Sequence, residues 1–82
     1  MIDYEGVLLE LVKPMADDPT SISVKEMESL YEDEVLLYVY AKSEDIARLI
    51  GRKGQMAKAI RDTLAIAGRN EGKRIVVKFE EY

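Results

Sequence analysis

Apolar residues at Tyr4, Val7, Leu8, Leu11, Val12 and Met15 recur every three or four positions, the rhythm of a helix with one buried stripe. Asp3 stands where a side chain caps such a helix, and Pro14 where one ends or kinks. The polar run Asp17-Asp18-Pro19-Thr20-Ser21 has the chemistry of a turn. After it the period falls to two: Ile22 and Val24 alternate with Ser23 and Lys25, which predicts a short half-buried strand reaching Met27. A second turn around Leu30-Tyr31-Glu32-Asp33 leads into Val35-Leu36-Leu37-Tyr38-Val39-Tyr40-Ala41, an unbroken apolar run with the length and residue types of a central strand. The two strands are expected to pair as an antiparallel hairpin.

Helical signals then return. Ser43 is expected to cap a helix that carries Glu44 and Asp45 in its first turn and runs to about Ile50. A further helix is expected from Gly54, with Met56, Ile60, Leu64 and Ala67 as its buried stripe and Gly68 at a left-handed C-terminal position. Asn70-Glu71-Gly72 completes the turn, and Ile75, Val77 and Phe79 alternate with Val76, Lys78 and Glu80 in a last strand. No linker, repeat or low-complexity stretch interrupts the series, so residues 1–82 read as one α+β domain with helices on one face of a three-stranded sheet.

The chain has 82 residues, 48% hydrophobic and 34% charged, a balance that folds and stays soluble. It has no cysteine, which fits a reducing compartment, and the cytoplasm is the expected location. The acidic start Met1-Ile2-Asp3-Tyr4-Glu5 and the lack of an apolar stretch near 20 residues argue against secretion and membrane insertion. It also has no histidine, which removes the commonest general base and metal ligand. Asp17-Asp18 and Glu32-Asp33-Glu34 lie in polar, turn-like segments with nothing nearby to raise a carboxylate pKa. An enzyme is therefore not expected, nor a metal site or cofactor.

A net charge of −4 argues against a polyanionic ligand until its distribution is considered. Residues 1–46 hold twelve acids against three lysines, a local charge of −9, whereas residues 47–82 hold nine bases and four acids, a local charge of +5. Between 46 and 61 there are five bases (Arg48, Arg52, Lys53, Lys58 and Arg61) and no acid. At the centre of that window is Gly51-Arg52-Lys53-Gly54, a GxxG loop between two helices. The spacing alone is weak, because five glycines in 82 residues place two of them three apart in roughly a fifth of shuffled chains. Its context is stronger. The following helix has no acid in its first turn, so its positive end lacks an internal counter-charge, and glycines let another backbone approach; together these make an anion site suited to phosphate. A Walker A loop is excluded because only two residues separate the glycines and Gln55 follows them, and a dinucleotide loop because GxGxxG is absent.

With helix, GxxG and helix set between a strand pair and a last strand, the chain resembles the KH domain, whose GxxG loop clamps single-stranded RNA through its backbone. The order α-β-β-α-α-β is similar to the type II, prokaryotic arrangement. Leu11-Val12-Lys13-Pro14, Arg48-Leu49-Ile50-Gly51-Arg52-Lys53-Gly54 and Ala59-Ile60-Arg61 resemble three stretches of the small stand-alone bacterial KH proteins of the KhpA type. The acidic first half departs from an RNA-binding pattern and confines the RNA surface to one edge. The resemblance implies that Gly51 and Gly54 give close approach and the turn, that Arg52 and Lys53 pair with phosphates, and that Arg48, Lys58 and Arg61 widen the phosphate track. Bases would lie beside Ile46, Ile50, Met56, Ala57 and Ile60, with hydrogen bonds to the backbone of an adjacent strand, and Gln55 is also among the expected RNA-binding residues. Ile46 and Ile60 are also core positions. Tyr31, Tyr38 and Tyr40 could stack on bases, although strand tyrosines more often pack across a sheet.

One KH unit grips about four nucleotides, so two copies would bind better. Ala59, Thr63 and Ile66 form an uncharged stripe outside the core-facing set and are the expected dimer contact. The resemblance also implies a heteromeric partner, a larger protein with its own KH domain, and a role as RNA chaperone or post-transcriptional regulator bearing on RNA levels and cell shape. Two other functions fit the helix-turn-helix outline: DNA binding through Gln55 and Lys58, or a protein-interaction module in which the loop is only a tight turn.

Overall fold

The computed structural model describes residues 2–82, which run as α1 (Tyr4–Val12), β1 (Ser23–Met27), β2 (Glu34–Ala41), α2 (Ser43–Ile50), α3 (Gln55–Asn70) and β3 (Arg74–Glu81). The Asp3 side chain caps α1, its carboxylate accepting the Gly6 N–H at 3.1 Å. The chain then tightens into a short 3-10 turn over Lys13–Met15, where Pro14 has no N–H to continue the α-helix. A second such turn, Pro19–Ser21, delivers the chain to β1.

β1 and β2 form the anticipated antiparallel hairpin, with Ser23 opposite Tyr40 and Met27 opposite Leu36. β3 lies on the other side of β2 and parallel to it, from Glu34 opposite Arg74 to Ala41 opposite Glu81. β2 is thus the central strand of a mixed sheet. A parallel pair needs a crossover, and α2 and α3 supply it. Burial alternates along β2: Val35, Leu37, Val39 and Ala41 are covered, while Leu36, Tyr38 and Tyr40 are half-buried on the face without helices. Leu8 and Val12 of α1, Leu49 of α2, and Ile60 and Leu64 of α3 fill the space over Leu37 and Val39. Each of these side chains contributes about 1.5–3 kcal/mol on leaving water.

Four sequence expectations are corrected. Val7 is exposed, because the stripe that meets the sheet is the narrower Tyr4, Leu8, Val12 set. Ser43 is the first residue inside α2, since the Ile46 N–H bonds the Lys42 carbonyl at 2.9 Å. Met56 is exposed and Ala57 is buried in its place. Gly68 is helical and buried rather than left-handed; a Cβ there would come within 2.5 Å of the Ile75 side chain and 2.7 Å of the Lys73 carbonyl. The left-handed glycine of that turn is Gly72, at φ 68°.

Two polar ties fix the helical layer. Asp45, only 2% exposed, accepts the backbone N–H groups of Asp17 at 2.8 Å and Asp18 at 3.1 Å, and so fastens the segment before β1 to the start of α2. Tyr4 donates its phenol to Glu71 Oε1 at 2.5 Å and joins the start of α1 to the end of α3.

Candidate nucleic-acid interface

The Gly51 N–H donates to the Ala47 carbonyl at 2.9 Å and closes α2, after which the chain reverses within four residues. Gly51 has φ 76° and ψ 177°, Lys53 φ 57° and ψ 23°, and Gly54 φ 75° and ψ 13°. Arg52, Lys53 and Gly54 form a 3-10 turn, closed by Gly54 N–H to Gly51 carbonyl at 3.2 Å. Lys53 is the one non-glycine residue at positive φ among the described residues. A lysine held there costs about 1–2 kcal/mol, and such strain persists where the surrounding structure imposes it. The conformation turns both cations of the loop into solvent, and Arg52 and Lys53 are exposed.

No side chain caps α3 and no acid stands in its first turn, so the positive end of a 16-residue helix opens directly behind Gly54. A Cβ on Gly54 would meet nothing within 4 Å, which leaves room for a ligand backbone. Free backbone N–H groups at a helix N-terminus favour anions.

The five bases of the window are not equivalent. Lys58 pairs with Asp62 at 2.8 Å, and the bond to that carboxylate raises the lysine above its usual pKa. Arg48 reaches Asp45 at 3.7 Å. Arg61 donates Nε–H to the Val77 carbonyl at 3.2 Å and lies over the Phe79 ring, 5.4 Å from its centroid. The acids that bound the window, Asp45 and Asp62, lie one helical turn from bases inside it and so reach into it. Arg52 and Lys53 alone of the five have neither a carboxylate nor a carbonyl partner among the described residues.

The apolar positions separate in the same way. Ile46, Ala57 and Ile60 are buried in the core, whereas Ile50 and Met56, 37% and 38% exposed, flank the loop on its two sides. Gln55 is exposed at the first position of α3. Beyond α3 the edge strand β3 turns the backbone of Val77 outward, as its carbonyl bond to Arg61 requires, and Ile75 and Phe79 share that orientation by the two-residue period. The resemblance implied base contacts to the backbone of an adjacent strand without saying which; β3 is the edge strand whose Val77 carbonyl faces α3. Tyr31 lies in the loop before β2 with Arg74 over its ring, and Tyr38 and Tyr40 lie on the far face of the sheet. Ala59, Thr63 and Ile66 are all exposed on α3, Ile66 by 60%, and the Thr63 hydroxyl donates to the Ala59 carbonyl within the helix at 2.9 Å.

No helix among the described residues is long and apolar enough to cross a membrane. The family description "KhpA/KhpB, KH domain" matches residues 5–79. The chain is similar to RNA-binding protein KhpA of Clostridium perfringens, 35% identical over 87% of this chain and 93% of that protein. It is also similar to RNA-binding protein KhpA of Listeria monocytogenes, 35% identical over 94% and 99%, and of Bacillus subtilis, 30% identical over 87% and 85%. Among solved structures it resembles the crystal structure of Era in complex with MgGDPNP and nucleotides 1506–1542 of 16S ribosomal RNA, with a TM-score of 0.56 and 21% identity. That likeness covers 95% of this chain and 29% of the other, and is one of fold. Running from α1 into β3, the family match shows that the chain belongs to the KhpA/KhpB KH-domain family.

Proposed function

We propose that this protein binds single-stranded RNA, in the cytoplasm, by clamping phosphates at Gly51-Arg52-Lys53-Gly54, and that it acts as an RNA chaperone or post-transcriptional regulator. The observation that carries the reading is the pair of cations, Arg52 and Lys53, with no partner among the described residues, held outward by a left-handed turn at the uncapped positive end of α3. The relatives' printed name, RNA-binding protein KhpA, supports the ligand class. Phosphates hold the strand in place; bases are met by Ile50, Met56 and Gln55 and by the outward backbone of β3. Arg48, Lys58 and Arg61 border the track, each already engaged in a bond of its own.

A grip of about four nucleotides is weak, and pairing of two copies through Ala59, Thr63 and Ile66 would strengthen it. A second KH protein is the alternative partner for the same face, in keeping with a family description that names both KhpA and KhpB.

Replacing Arg52 and Lys53 together by Asp tests the clamp. Affinity for single-stranded RNA, measured by fluorescence anisotropy, is expected to fall at least tenfold. The melting transition should stay in place, since exposed substitutions change stability by under about 0.5 kcal/mol. Unchanged affinity would remove the loop from the site. Equal or tighter binding of duplex DNA by the parent would favour the helix-turn-helix reading, and no binding to any nucleic acid a protein-interaction module.

A further inference from the structure

The face of the sheet without helices carries a row of aromatic rings. Tyr38 and Tyr40 of β2 have centroids 6.0 Å apart and planes 25° apart, and Tyr40 and Tyr82 continue the row at 6.2 Å and 25°. Tyr82 is 70% exposed, yet its hydroxyl bonds the Ser21 carbonyl at 2.5 Å, which holds the ring over the sheet. In the strand register Tyr38 lies between Lys25 of β1 and Lys78 of β3. Cross-strand neighbours share a face, so both ammonium groups flank the aromatic row. Neither lysine has a carboxylate within ion-pairing distance among the described residues. Glu34 on this face is neutralised by Arg74 at 2.9 Å, and Glu80, beside Tyr40, is the one strand carboxylate there without a basic partner. Two ammonium groups with no carboxylate partner among the described residues thus border the aromatic row.

We propose that this face is a second contact surface for single-stranded nucleic acid, separate from the glycine loop, in which unpaired bases stack on the Tyr38-Tyr40-Tyr82 row while Lys25 and Lys78 hold the flanking phosphates. Aromatic rings bordered by free cations suit unpaired bases on a charged backbone; a duplex keeps its bases stacked inside and offers nothing to the rings. β3 connects the two surfaces, because it is the edge strand beside α3 and carries Lys78 on its open side. A strand leaving the loop therefore passes over β3 to reach the tyrosines. The proposal takes its ligand class from the RNA-binding reading of the loop but does not depend on the loop's residues.

The test compares a 12-nucleotide single-stranded RNA, about three times the footprint of one KH unit, with a tetranucleotide. Lys25→Glu with Lys78→Glu is expected to weaken the 12-mer at least fivefold and leave the tetranucleotide unchanged, with circular dichroism of the parent. Photocrosslinking of a 4-thiouridine 12-mer to the unaltered protein should place adducts on Tyr38, Tyr40 or Tyr82. Adducts confined to residues 46–61, or an unchanged 12-mer affinity in the double variant, would overturn the proposal, as would loss of self-association in that variant without loss of RNA, which would make the face a protein contact. With Arg52→Asp and Lys53→Asp in place, persistence of the tyrosine adducts separates failure of the loop from failure of the sheet face.

Discussion

Gly51 and Gly54 both have positive φ, but different forces keep them glycine. A Cβ on Gly51 would sit 2.7 Å from the Met56 Cβ and 3.1 Å from its backbone nitrogen, so the first turn of α3 would have to move. A Cβ on Gly54 meets open space and bears only the conformational penalty. Gly54→Ala is expected to cost about 1–2 kcal/mol, and Gly51→Ala about 2–4 kcal/mol once the clash is added. Urea titrations of the two variants check the order, and equal losses would refute it. The glycines could be found in the sequence because their spacing lies between two helical patterns. Their unlike roles could not, since one depends on the position of Met56 in space. The same limit applied to the charges: a window drawn at 46–61 excluded Asp45 and Asp62, but the turn of a helix brings each beside a base within it, and of its five bases Arg52 and Lys53 have no partner among the described residues.

Element positions and types followed from period and punctuation, and the errors gathered where one element touches another. Gly68 has the composition of a helix end, yet it is buried inside α3 because β3 passes too close for a side chain. Asp45 reads as a first-turn acid suited to the helix dipole, but its carboxylate holds the backbone of Asp17 and Asp18, a contact across 28 and 27 residues that no local pattern announces. Tyr4 is a similar case, placed by its period in the stripe of α1 and bound in the structure to Glu71 after α3. The bond to the Glu71 carboxylate, and then burial, raise the Tyr4 phenol from its ordinary 10.0 to about 12. Its protonated form is favoured in the folded chain, so this stabilisation is complete below pH 10 and is lost as pH rises through about 12. Thermal melts from pH 9 to 12 should show a steeper loss of stability in the parent than in Tyr4→Phe, which has no phenol to ionise. Parallel losses would remove Tyr4 from the alkaline transition.

At the scale of the whole molecule the proposed RNA grip has to work on an acidic chain of 82 residues. The proposed phosphate site offers two cations, Arg52 and Lys53, with no partner among the described residues, and residues 1–46, at −9, oppose a polyanion. Few phosphate contacts give weak binding, so a second copy is the economical source of strength: it doubles the contacts along one strand at high effective concentration. Ala59, Thr63 and Ile66 are exposed on α3 and carry no charge themselves, and the charged neighbours Lys58 and Asp62 neutralise each other at 2.8 Å. Thr63→Arg is expected to shift the light-scattering mass from twice 9.3 kDa toward 9.3 kDa, with little change in the monomer's fold because the position is exposed. It should weaken binding of an RNA long enough for two footprints by tenfold or more and leave a tetranucleotide unaffected. The sign of the effect is decisive, because the new arginine adds a positive charge that by itself would tighten RNA binding. A parent already at 9.3 kDa would refute the self-pairing, and so would a variant that keeps the dimer mass or binds the longer RNA more tightly.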